Sequence, residues 1–281
     1  MNRRSVLQCP PMLSGGPPES VPDAVALERR DRATVLTYAA LLVIAAAAWI
    51  HVVWSATNME DMGDMFMPMS PTMSEGAFFV AAWTVMMAAM MLPSASPMIA
   101  LYAATQRSAR RPLARIVAVM GFTLVYVGLW AATGIPIYFA SLALGAMATG
   151  ARAYAIAGVF IAAGLFQLSP LKRVCLRNCR TPVGFLLGHW RPGWRGSLTM
   201  GWAHAAYCLG CCWALMVLLV AAGAMGLTWV LLISAIVAAE KLLPRGERLA
   251  WAVGLMLVLI GLAVAARPQL LVLLRAGGHS L

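Results

Sequence analysis

Seven stretches of this chain are too apolar, for too long, to belong to a water-soluble fold. They run roughly 34–54, 77–103, 116–140, 153–169, 197–222, 227–243 and 249–266. Most approach the ~20 residues a helix needs to cross the ~30 Å hydrocarbon core of a bilayer. Hydrophobic residues make up 62% of the 281 and charged residues 11%, against roughly 45–50% and 25% in soluble domains. That balance also excludes a disordered or collagen-like chain. The expectation is an all-α, polytopic helical membrane protein with about seven transmembrane helices, or six, since the fourth, sixth and seventh stretches are short or poorly bounded. Residues 1–33 read as a disordered, Pro/Gly-rich cytoplasmic segment, 34–266 as the transmembrane domain and 267–281 as a short tail. The N-terminal lead is too long for a secretory signal and no small-residue cleavage pattern follows the first apolar run, so that run is expected to stay as an anchor.

The net charge of +11 would suggest nucleic acid in a soluble protein. Here the positions of the charges give another explanation. Eighteen of the 21 Lys and Arg lie before span 1 or between spans 2 and 3, 4 and 5, and 6 and 7, leaving Arg152, Arg267 and Arg275 for the other face. This positive-inside asymmetry places the N-terminus in the cytoplasm and the C-terminus outside. Trp54 and Trp229 then fall near the outer interface, and Trp190, Trp194 and Trp251 near the inner one, as an aromatic belt requires.

Soft donor atoms concentrate in four places. The first outer loop carries Met59, Met62, Met65, Met67, Met69 and Met73 among Glu60, Asp61, Asp64 and Glu75, with no Lys or Arg. A short exposed loop has no core for six thioethers to fill, and thioether favours Cu(I); the alternative is Met as flexible apolar filler against the membrane. Span 2 carries Met86, Met87, Met90 and Met91, each pair four apart on one helix face. Pro93 and Pro97 follow and are expected to kink the helix. Span 5 carries Met200, His204, Cys208, Cys211 and Cys212 along one stripe. An ionisable residue inside a span points to function, although Cys can also serve as a small buried hydrophobe. At 1.5 Å per residue the Met cluster of span 2 and the His/Cys cluster of span 5 fall at common depths. The basic 170–195 loop carries Cys175 and Cys179, where neighbouring cations favour the metal-binding thiolate and a reducing cytoplasm disfavours a stable disulfide.

Glu240 and Lys241 end span 6. They read either as an interfacial pair with a snorkelling lysine or as groups behind the metal ligands, with Glu240 orienting His204. His189 and Cys9 have no evident partner. No phosphate-binding loop, zinc-protease helix or Ser-His-Asp pattern occurs.

The run M-M-A-A-M-M-L-P-S-A-S-P (86–97), the segment Q-L-S-P-L-K-R-V-C-L-R-N-C-R-T-P (167–182), the core C-L-G-C-C-W-A-L-M (208–216) and E-K-L-L-P (240–244) resemble a bacterial family of predicted metal-binding integral membrane proteins. That family is catalogued as a domain of unknown function, and some members are described as copper-chaperone-like. The resemblance covers about residues 35–265 and implies a membrane protein with a connection to copper.

Three functions follow as expectations. The first is copper handling: Cu(I) captured at the outer loop, bound at the 86–91 and 200–212 clusters, and passed to or from Cys175 and Cys179, with a periplasmic or membrane cuproprotein or metallochaperone as partner. Zinc is less suited to thioether. No ATP site is present, so movement would be downhill or partner-driven. The second is a membrane thiol oxidoreductase, which explains the thiols but not the methionines. The third is a non-catalytic membrane subunit whose Cys and Met only pack. The bilayer is a partner in each; nucleic acid is not.

Overall fold

The computed structural model describes residues 32–58, 72–106, 112–221 and 227–271. The N-terminal lead, most of the C-terminal tail and the outer loop with Met59, Met62, Met65, Met67 and Met69 lie outside the described residues. Nine helices and no strands occur among those described: α1 (Arg32–Asn58), α2 (Met73–Thr105), α3 (Pro112–Ala146), α4 (Thr149–Leu168), α5 (Pro170–Arg180), α6 (Pro182–His189), α7 (Gly193–Ala221), α8 (Leu227–Leu242) and α9 (Gly246–Ala266). The all-α architecture expected from the apolar runs is therefore present.

Six helices, α1, α2, α3, α4, α7 and α9, are long and apolar enough to cross a membrane. The 227–243 stretch forms α8, which at 16 residues is only about 24 Å long, short of the ~30 Å core. Large apolar side chains such as Leu36, Val43, Leu124 and Leu259 face outward. Trp54, Trp194 and Trp251 are likewise exposed.

Local chemistry sets the helix boundaries. Thr72 caps α2: its hydroxyl accepts from the Glu75 backbone N–H, and the Glu75 carboxylate accepts from the Thr72 N–H, a reciprocal capping box. Pro93 and Pro97 lie within α2 without ending it. Pro97 has no N–H to offer the carbonyl of Pro93, and the Ser96 hydroxyl donates to that carbonyl instead, at 2.8 Å. Ser169 ends α4 and caps α5, accepting from Lys172 N–H, with Pro170 in the first turn, where its missing donor costs nothing.

Two close helix contacts fix the geometry around the polar residues. A Cβ added to Gly164 of α4 would lie 2.6 Å from the Gly254 carbonyl of α9, so these helices touch backbone to backbone, a small-residue interface typical of membrane bundles. A Cβ at Gly201 of α7 would lie 2.7 Å from the Phe122 carbonyl of α3. That approach brings Tyr126 of α3 against α7. Helix α5 packs on α7 and α8, burying Lys172, Cys175 and Leu176 and leaving Arg173 and Arg177 outside.

Candidate metal centre

The four-residue spacing along α7 has the consequence expected of it: Met200, His204, Cys208, Cys211 and Cys212 are all buried, while Trp202 and Trp213 face outward. The thiols meet a fourth from α5. Cys211 Sγ lies 3.3 Å from Cys212 Sγ and donates to Cys179 Sγ at 3.7 Å. Its thiol also reaches the Cys208 carbonyl at 3.1 Å. Cys179 is partly exposed; the other three are buried. The hydrogen bond between Cys179 and Cys208 pushes the Cys179 thiol well above its ordinary pKa, so Cys179 keeps its proton at neutral pH.

Lysine 241 completes the cluster. Its Nζ donates to Cys208 Sγ at 3.1 Å and to Ser94 Oγ at 3.1 Å, and lies 3.7 Å from Met91 Sδ. The Tyr126 hydroxyl is 3.1 Å from the same Cys208 sulfur. Five helices thus converge: α2 with Met91 and Ser94, α3 with Tyr126, α5 with Cys179, α7 with three cysteines and α8 with Lys241. Spans 2 and 5 meet directly where Tyr102 Oη lies 2.6 Å from Ser197 Oγ; at the thiols Lys241 of α8 bridges them.

Glu240 turns the opposite way from Lys241. Its carboxylate accepts from Lys172 Nζ at 2.6 Å and from Gln167 Nε2 at 2.9 Å, and all three residues are buried. Glu240 therefore neither pairs with Lys241 nor orients His204. The ammonium of Lys241 points inward, because Lys172 has already satisfied the carboxylate next to it.

The other expected ligands separate into distinct surroundings. His204 stacks on Tyr126 with ring centroids 5.6 Å apart, and meets Phe122 and Phe185 at 5.9 and 5.4 Å. Its Nδ1 is buried without a hydrogen-bond partner among the described residues. Met200, Met86, Met87 and Met90 are buried in the core, and of the span 2 methionines it is Met91 whose sulfur reaches Lys241. Cys175 is buried on the same face of α5 as Cys179 but is disulfide-bonded, against the expectation that a reducing cytoplasm would keep it a free thiol, so it offers no thiolate to a metal. Tyr126, Ser94 and Lys172 are not singled out by the sequence: Ser94 and Lys172 lie inside the runs 86–97 and 167–182 without marking themselves there, and Tyr126 is a polar residue within an apolar helix.

Among the described residues no three His, Cys, Asp or Glu side chains stand arranged to hold a metal ion. The thiols instead touch one another and the ammonium. Four sulfurs around one ion at ~2.3 Å would sit ~3.8 Å apart. The separation of 3.7 Å nearly matches this, and that of 3.3 Å falls short by about half an ångström. The donor set is nevertheless chemically selective, with thiols and a thioether and no carboxylate among them, which suits a soft monovalent ion. A family model described as PpoB2, copper chaperone, matches residues 80–264, about two thirds of the chain. The protein belongs to this copper chaperone family. The match encloses Met91, Tyr126, Cys179, the α7 stripe and Lys241, and excludes the Met-rich loop. Comparisons with curated proteins and with solved structures return no match.

Proposed function

We propose that the protein holds Cu(I) as cargo within the bacterial inner membrane and passes it to a partner cuproprotein. The observation carrying this reading is the convergence of Cys179, Cys208, Cys211 and Cys212 with Met91 around the buried ammonium of Lys241. Cu(I) held by two thiolates is a net anion, and a buried anion is costly without a counter-charge. Lys241 supplies that charge while donating to Cys208, so a dithiolate–copper complex beside it is neutral overall. Cys179, partly exposed, is the donor from which copper leaves or at which it arrives. Met59, Met62, Met65, Met67 and Met69 collect copper on the outer side. His204 and Met200 extend the buried path along α7.

Replacing Cys208 and Cys211 with Ser keeps side-chain size and removes two soft donors. The purified double variant should fold yet lose its copper to a competing Cu(I) chelator at concentrations that leave the parent loaded. Retention of copper would reject this site.

One observation favours the thiol oxidoreductase reading. The notable thiol contact joins two helices, α5 and α7, through Cys179 and Cys211, which frees it from the poor geometry of disulfides within a helix. In that reading the two thiols yield two protons and two electrons to an external disulfide. Protein isolated with a Cys179–Cys211 disulfide and no copper would support it.

A further inference from the structure

A second polar site lies away from the thiols, where α4, α5 and α9 meet. A recess of about 290 Å³ is lined by Gln167, Leu168, Arg173, Glu247, Arg248 and Trp251, roughly the volume of ten waters. Its one carboxylate is already taken: Arg177 donates to both Glu247 oxygens, at 2.8 and 3.3 Å. Arg173 and Arg248 are exposed and make no hydrogen bond or ion pair among the described residues. Among the described residues the recess therefore presents two guanidinium groups outside any ion pair, beside one carboxylate that Arg177 already holds. It also sits at the N-terminus of α9, where the helix dipole favours an anion.

A second observation specifies the ligand further. Gln167 is 2% exposed, donates its amide N–H to Glu240 and is left with a buried Oε1 that has no partner among the described residues. Reversing the amide would set oxygen against carboxylate, so the unpaired atom is an acceptor. An orphaned acceptor lining an anion-binding recess calls for a ligand that carries a hydroxyl as well as a negative charge. Below Arg248, the exposed side chains of Trp251, Leu255, Leu259 and Leu262 follow one another at spacings of three and four, a single apolar stripe along α9. It begins at the recess and runs toward the opposite end of a membrane-crossing helix.

We propose that this recess binds an anionic phospholipid with a hydroxylated headgroup, of the phosphatidylglycerol type. Arg173 and Arg248 bracket the phosphodiester, a headgroup hydroxyl donates to Gln167 Oε1, and an acyl chain lies along the Trp251–Leu262 stripe. The site rests on the membrane-spanning reading of α4 and α9 and not on the copper site.

Native mass spectrometry of delipidated protein tests it with four probes: phosphatidylglycerol, phosphatidic acid, phosphatidylcholine and glycerol 1-phosphate. One phosphatidylglycerol should bind per chain, ahead of phosphatidic acid, with at least tenfold preference over phosphatidylcholine, and glycerol 1-phosphate should not displace it. Arg173→Gln/Arg248→Gln alters two exposed residues and should lower phosphatidylglycerol binding at least tenfold while leaving copper content unchanged. Leu255→Ser, on the apolar stripe, should weaken phosphatidylglycerol binding while leaving copper content unchanged. Equal binding of phosphatidylcholine, or full retention of phosphatidylglycerol by the double Arg variant, would overturn the proposal. Displacement by glycerol 1-phosphate would show a soluble-phosphate site and overturn the lipid assignment.

Discussion

Replacing Lys172 with Met should destabilise the protein far more than an ordinary surface change, and a second substitution should reverse most of the loss. Lys172 is fully buried and pairs with Glu240 at 2.6 Å. Removing the ammonium leaves a buried carboxylate with the Gln167 amide as its remaining donor. Stranding one member of a buried pair costs about 3–5 kcal/mol. For a domain of this size that corresponds to a melting temperature lower by roughly 6–20 °C. Adding Glu240→Gln to Lys172→Met removes the stranded charge and retains an amide for Gln167 to bond. The double variant should therefore recover to within about 1–2 kcal/mol of the parent, giving a large coupling energy in a double-mutant cycle. Thermal unfolding in detergent, followed by circular dichroism, provides the reading. Copper content should remain at the parental level in the double variant, because neither residue touches the thiols. Parental stability in the single variant, or a double variant no better than the single, would refute the division of roles between Glu240 and Lys241.

Lys241→Met removes the buried counter-charge beside Cys208 and should lower Cu(I) affinity by roughly tenfold or more, about 1.4 kcal/mol, in competition with a chromogenic Cu(I) chelator. Mild oxidation of purified protein by diamide should link Cys179 to Cys211, whose sulfurs are 3.7 Å apart, with the bridge found by peptide mapping. Accessibility reporters at Ser70 and Thr181 should lie on opposite sides of the membrane, Ser70 outside; the same side for both would reject the positive-inside orientation.

Much of the architecture is readable from residue type alone, because a bilayer leaves helices as the way to satisfy the backbone of a long apolar segment. The stripe from Met200 to Cys212 is equally legible, since helical period decides which residues share a face. Periodicity could not choose among Met86, Met87, Met90 and Met91. All four are buried, and which sulfur faces the thiols depends on how α2 is rotated against α8. The Glu240–Lys241 pair misled for a related reason. Adjacent opposite charges at a helix end read as partners, yet neighbours in sequence point about 100° apart on a helix. The residue that captures Glu240 comes from 68 positions away. Tyr126 is 82 residues from the sulfur it meets, and a tyrosine within an apolar run carries no local signal. Short helices α5 and α6 were hidden in a basic loop, although Ser169-Pro170 and Thr181-Pro182 mark their starts.

X-ray absorption at the copper edge of the loaded protein bears most directly on the central claim that a buried sulfur cluster holds Cu(I). The spectrum should show a reduced ion with a first shell of sulfur. Met91→Leu should remove sulfur from that shell, while Met86→Leu, Met87→Leu and Met90→Leu leave it unchanged. A first shell of nitrogen and oxygen, or a sulfur shell indifferent to Cys208→Ser/Cys211→Ser, would contradict the assignment.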